Sequence, residues 1–212
     1  MKKKLFTSVF LLASFVSFAL NINFYQKIQE ENRVIEVADG DTFQLKSGKR
    51  VRLMGVDAPE YDYCGGQEAK ARLQELILNK KVKLEEEISE AFGRALALVW
   101  VDKSLVNQMM LKEGWGRPDY RKNSQRDVLT AAYHEAQAGK VGLFSLCIST
   151  HPFKASCLIK GNIDQATYQK FYHLPTCRHY QEVKLNLAFG EQWFCSEKEA
   201  LAAGFKKAFS CP

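Results

Sequence analysis

The chain contains no internal repeat and no low-complexity tract, which excludes a solenoid, an array or a flexible linker as its organising principle. No Cys-x-x-Cys pair occurs among its six cysteines, so the usual spacing of a zinc site is missing. The apolar run from Leu5 to Leu20 falls a little short of the ~20 residues that a membrane-spanning helix needs. Nor is there an excess of positive charge where a nucleic-acid face would need one. The net charge is +6, but Lys2, Lys3 and Lys4 supply half of it, and residues 25–150 hold 19 basic and 19 acidic side chains. Any attraction for phosphate must come from how the charges are placed and not from the pI.

What is present begins with an N-terminus of the export type. Three lysines, the apolar run and the small-x-small ending Ser17-Phe18-Ala19 predict a signal peptide over residues 1–19, with an uncleaved membrane anchor as the alternative. Either places the remainder outside the cytoplasm, secreted or periplasmic in the first case. The even set Cys64, Cys147, Cys157, Cys177, Cys195 and Cys211 fits that compartment as disulfides whose pairing the sequence leaves open. The rival is zinc held by the four C-terminal cysteines with His173 or His179. It rests on the unconvincing spacing Cys177-Arg178-His179.

After a polar linker (residues 20–32), Arg33 to Val37 alternates as a strand does and ends at the turn Asp39-Gly40-Asp41. Thr42 to Leu45 and Arg50 to Val56 read as two more strands around a hairpin through Ser47-Gly48. Gly66 to Leu78 has helical apolar spacing, while Val82 to Glu86 and Ala95 to Val101 return to strand character. Ser104 is placed to cap a helix reaching Lys112, and a last long helix is expected from Ser124 to Ala138, stopping at Gly139. Five short strands and three helices predict an α+β domain over residues 33–146, built on a small closed five-stranded Greek-key barrel. Periodicity lapses over residues 147–156. The remainder, 157–212, is too small to rest on a core alone and is expected to be a separate module stapled by disulfides. Within it Ser196-Glu197-Lys198-Glu199 is a capping box that opens a helix toward Ala203.

The chemistry concentrates between Asp39 and Glu60. Asp41 and Asp57 are hard oxygen donors at the ends of two strands expected to pair, which suits Ca²⁺ or Mg²⁺ better than zinc. Glu60, just beyond the second strand, is placed to orient or deprotonate a water. Arg52 and Arg94 offer planar, permanently charged forks for phosphate. Taken singly, each has a plainer reading, since carboxylates at strand ends form turns and a strand arginine pairs with one of them. Their convergence at one end of a small barrel favours phosphodiester hydrolysis. That reaction needs a cation at the phosphate, a base for water and counter-charge for the five-coordinate state. Among the aromatics, Tyr120 stands in polar surroundings suited to stacking a base. Trp115 reads equally well as core, and His134 reads as a surface residue.

In order and spacing, Asp39-Gly40-Asp41-Thr42, the run RLMGVDAPE from Arg52 to Glu60, Phe92-Gly93-Arg94, Leu105-Val106-Asn107 and Glu113-Gly114 resemble the staphylococcal nuclease (thermonuclease) family over residues 33–146. The resemblance implies an OB-fold-like β-barrel and a Ca²⁺-dependent endonuclease, which the N-terminal signal would export. Such an enzyme hydrolyses DNA and RNA, as single strands or frayed duplex, to 3′-phosphate products. It implies Asp41, Asp57 and the Ala58 carbonyl as calcium ligands, Glu60 as general base, and Arg52 and Arg94 as phosphate-binding, transition-state-stabilising residues. The chain departs from the best-known member of the family at Ala58, where that protein has threonine, and at Phe92, where a tyrosine hydroxyl would touch phosphate. The C-terminal segment resembles small cysteine-bearing modules behind such domains in exported bacterial proteins and implies no site. No stable protein partner is expected. Two other classes stay open: a non-catalytic barrel that binds single strands, and a disulfide-rich envelope interaction protein with a vestigial barrel.

Overall fold

Short runs in which buried Val, Leu and Phe are interspersed with polar residues form the first three strands: β1 (Val34–Val37), β2 (Thr42–Leu45) and β3 (Arg50–Leu53). These belong to a computed structural model that describes residues 21, 30–89, 93–119, 121–164 and 167–212. The expected signal peptide, Phe92 and Tyr120 lie outside the described residues, and no helix within them is long and apolar enough to cross a membrane. The β3 strand stops at Leu53 and not at Val56. Gly55 turns the chain at φ +74°, and a Cβ there would meet Leu129 Cδ1 at 2.7 Å, so the apolar alternation of Met54 and Val56 imitates a strand that does not continue.

Helix α1 (Gly66–Ile77) buries Ala69, Leu73, Leu76 and Ile77 and leads into β4 (Lys83–Ser89) and β5 (Arg94–Val101). From Ala95 to Val99 every residue of β5 is buried, as in a strand covered on both faces. It pairs parallel with β3 and antiparallel with β4 and the short β6 (Ser104–Leu105), giving the order β1-β2-β3-β5-β4. The ends of that path meet through a single bridge, Arg33 to Lys81, with flanking bonds from Val34 N–H to Lys80 O (2.9 Å) and Val82 N–H to Asn32 O (3.1 Å). The architecture is therefore a mixed six-stranded sheet and not the expected closed five-stranded barrel. The register of β4 slips between Glu85 and Ile88, where Glu86 takes φ +51°, which interrupts one edge.

Ser104 does not cap a helix. It pairs with Val101 across the two-residue turn Asp102-Lys103, and helix α2 (Val106–Lys112) starts only after Leu105. Helix α3 (Arg126–Gly139) runs one residue past the expected stop, because Lys140 and not Gly139 takes the left-handed φ of +52°. A single turn, α4 (Leu143–Leu146), follows. Phe43, Leu53, Leu73, Leu98, Met110 and Leu129 are among the fully buried side chains of the core, each worth roughly 1.5–3 kcal/mol of apolar burial.

The remaining elements are β7 (Ile148–Ser149), β8 (Ile159–Ile163), β9 (Lys170–His173), β10 (Leu185–Asn186), β11 (Gln192–Phe194), α5 (Glu197–Ala202) and β12 (Lys206–Lys207). Strands in the order β11-β8-β9-β12 make a second sheet over a core of Ile159, Tyr172, Phe194, Ala200 and Phe205. The capping box forms: Ser196 Oγ accepts from Glu199 N–H at 3.2 Å, and the Glu199 carboxylate accepts from Cys195 N–H at 2.8 Å. Inside the stretch expected as a linker, β7 pairs with β10, and Leu187 N–H donates to Cys147 O at 3.0 Å. The cysteines pair as Cys64–Cys147, Cys157–Cys195 and Cys177–Cys211, which leaves no thiol for zinc.

Candidate functional site

Between β1 and β2 the Asp39 carboxylate accepts from the Asp41 N–H at 3.0 Å, an Asx turn that orients the next carboxylate inward. Gly40 is required here by crowding, since a Cβ would come within 2.7 Å of both the Ala58 and Ala69 Cβ atoms. That close approach leaves Asp41 only 2% exposed beside the loop that follows β3. Its Oδ1 accepts from the Thr42 hydroxyl at 2.8 Å, and its Oδ2 accepts from Ala58 N–H at 3.1 Å and lies 2.8 Å from Arg52 Nη2. Burial pushes the Asp41 carboxyl up, to about 7, against the opposing pull of the Arg52 guanidinium.

Arg52 stands opposite Thr42 in the β2–β3 register and donates from the same Nη2 to Asp57 Oδ1 at 2.9 Å. One guanidinium nitrogen thus holds both carboxylates expected to bind a cation. The second oxygen of Asp57 accepts from Arg117 Nε at 2.8 Å, while the two backbones exchange N–H···O bonds of 2.9 Å each. Arg117 is the residue that sequence reasoning misses. It lies 60 positions from its partner, and a lone arginine in Gly114-Trp115-Gly116-Arg117-Pro118 carries no signal of the pairing. Its guanidinium also sits 4.0 Å from the Phe189 ring centroid, so the C-terminal segment reaches the back of the site.

The turn that delivers Asp57 is fixed from beneath. Asn107, fully buried, donates to Met54 O at 2.8 Å and Ala97 O at 3.2 Å and accepts from Val99 N–H at 2.8 Å. Ala58, expected to present its carbonyl, joins the cluster through its N–H. Glu60 is exposed on a loop anchored on one side by the Asp57–Arg117 bridge and on the other by Cys64–Cys147, and among the described residues no cation pairs with its carboxylate. Arg94 opens β5 in register with Arg50, and Leu96 is in register with Arg52. Arg94 and Arg52 therefore share a sheet face, two residues apart along the strands. Trp115 packs between the main core and a cluster of Leu143, Cys147 and Ala188, so its place is structural. His134 is exposed on α3 as expected, but it lines a cleft of about 570 Å³ together with Arg52, Asp57, Arg117, Arg121 and Tyr168.

No group of three or more His, Cys, Asp or Glu able to hold a metal occurs among the described residues. An ion here would rest on Asp41 and Asp57, with backbone and water oxygens completing its shell. Two carboxylates that converge on one cationic nitrogen, one of them desolvated, fit a hard divalent cation.

The family model described as staphylococcal nuclease homologue matches residues 50–146. A thermonuclease of Staphylococcus hyicus is 35% identical over 130 residues, which is 55% of this chain and 77% of that protein. The chain belongs to the staphylococcal nuclease family. An uncharacterized endonuclease of Haemophilus influenzae is 34% identical over 119 residues, covering 53% of this chain and 65% of the relative, slightly under two thirds of its length. A micrococcal nuclease of Shigella flexneri is 29% identical over 136 residues, 57% of this chain and 77% of its own. The family match begins with β3 and ends one residue before Cys147, so it takes in Arg52, Asp57, Glu60, Arg94 and Arg117 and leaves the C-terminal segment outside.

Proposed function

We propose that the protein is an exported endonuclease of the micrococcal type that uses Ca²⁺ to hydrolyse DNA and RNA and leaves 3′-phosphate ends. The observation that carries this reading is the pair of carboxylates, Asp41 and Asp57, gathered within 2.8 and 2.9 Å of one Arg52 nitrogen beside the exposed Glu60 loop. Asp41, Asp57 and the Ala58 carbonyl would hold the ion. Bound there, it supplies Lewis-acid neutralisation of a phosphate oxygen. Glu60, open to solvent, takes the proton of the attacking water. Arg52 and Arg94, on one sheet face, grip the phosphate oxygens and offset the charge that accumulates in the five-coordinate state. Tyr120, outside the described residues, is the aromatic assigned from the sequence to stack a base. The nuclease names of the relatives support the reaction class, and three disulfides support an oxidising destination.

Digestion of single-stranded DNA, duplex DNA and RNA by the purified protein, with calcium and with chelator, tests the proposal. Cleavage with calcium and 3′-phosphate termini by mass spectrometry are expected. Glu60→Gln should lower kcat by ~10²–10⁴. Wild-type inactivity in calcium together with tight strand binding would replace the nuclease by a non-catalytic binder.

A further inference from the structure

In the hairpin joining β8 to β9 the described residues on either side of 165–166 are tied together. Asp164 N–H donates to Gln169 O at 2.9 Å and Tyr168 N–H to Asp164 O at 2.8 Å, while the Asp164 carboxylate accepts both the N–H and the hydroxyl of Thr167 at 2.7 Å each. Here Tyr168 takes φ +56°, the left-handed region whose ordinary occupants are glycine and asparagine, and it is 66% exposed. A bulky ring in a costly conformation and two-thirds open to solvent is not part of the core of its own segment. It does stand on the wall of the cleft that contains Arg52 and Asp57, the residues at the centre of the proposed reaction. The same cleft is lined by Arg117 and Arg121, two guanidinium forks suited to phosphate, and by His134. At about 570 Å³ the cleft has room for one nucleotide unit. Aromatic faces and arginine forks are the side chains that hold single strands without reading their sequence.

We propose that Tyr168 stacks on the base of the nucleotide next to the scissile phosphate, with Arg117 and Arg121 toward its flanking phosphate, so that the C-terminal segment completes the substrate groove of the nuclease domain. This rests on the nuclease reading for its chemistry but not for its binding geometry. The family match stops at residue 146, so the subsite is an addition made by this chain's own C-terminal segment. The strained backbone at position 168 then has a reason, because asparagine would relieve the strain and remove the stacking face.

The test uses the full-length protein and one labelled single-stranded oligonucleotide. KM and kcat are measured in calcium, and Kd is measured by fluorescence anisotropy in chelator, where no cleavage intervenes. Tyr168→Ala and Tyr168→Asn should each raise both KM and Kd about tenfold, with kcat changed less than KM, and Tyr168→Trp should restore both. Tyr168→Asn should also raise the Tm while weakening binding, a combination that a purely structural role does not produce. Phe153→Ala, removing a ring that is 92% exposed and outside the cleft, serves as the control and should match wild type. Equal KM and Kd for Tyr168→Ala and wild type would overturn the subsite, as would an equal shift in the Phe153→Ala control. Failure of wild type to cleave at all would instead strike the nuclease reading, and the anisotropy series would still decide the place of Tyr168.

Discussion

Residues 33–146 bury a continuous apolar cluster from Val34 to Ala132, whereas the C-terminal segment gathers five buried residues around Ile159 and Phe205 and adds two disulfides of its own. The two halves also bury charge differently. In the larger half the buried carboxylate, Asp41, lies at the candidate site. In the smaller half Lys160, 4% exposed, donates from Nζ to the carbonyls of Tyr180 at 2.8 Å and Val183 at 2.7 Å and lies against the Tyr180 ring, so its ammonium works as a structural cross-tie. Where apolar area is plentiful, the buried carboxylate lies at the candidate site. Where it is scarce, a buried ammonium substitutes for core.

The comparison breaks most visibly at the staples. Replacing Cys177 and Cys211 together by serine should cost the small half about 2–5 kcal/mol. Limited proteolysis should then cut within residues 157–212 while residues 33–146 stay intact; parallel loss of both halves would show that they fold as one unit. In the large half Asn107→Ala removes the side-chain partner of the Met54 carbonyl and of the Val99 N–H, while Ala97 O keeps its 2.8 Å bond from Met54 N–H, for a loss on the order of 3 kcal/mol in urea unfolding. A smaller effect is expected at the seam. Phe189→Ala removes the ring under Arg117, worth ~1 kcal/mol, and, if the proposed ion binds at Asp57, should change its affinity in titration calorimetry through the Arg117 hold on Asp57.

The least effect comes from pH. Burial, helped by the Lys160 and His179 charges, holds His173 below its ordinary 6.5. The unfolded chain therefore takes up this proton first as the solution is acidified. The stability His173 contributes is complete above 6.5 and is lost as pH falls toward the folded value. Urea midpoints of wild type should decline through that window, and those of His173→Asn should decline less.

The site was legible wherever chemistry and turn coincide in a few adjacent letters. Asp39-Gly40-Asp41 reads as a turn, and its carboxylate meets Arg52 and Asp57 because β2 and β3 are neighbours in sequence as well as in space. Arg117 was hidden because its meeting with Asp57 is made by tertiary folding across 60 residues. The parallel pairing of β3 with β5 was hidden for the same reason, since alternation records which face is buried and not which strand lies alongside. The helix of the capping box was legible from four residues, because a cap is a local hydrogen-bond pattern. Tyr168 was not, because its backbone conformation leaves no mark in the letters around it.

The bond between Cys64 and Cys147 closes a covalent ring, 83 positions around, that starts just after Glu60 and ends where the family domain ends. A protease that nicks the chain anywhere between those two cysteines produces two fragments that migrate as one molecule until a reductant is added. The arm bearing Glu60 stays tethered to the far end of its own domain even in the nicked form. A nicked sample can therefore look whole on a non-reducing gel.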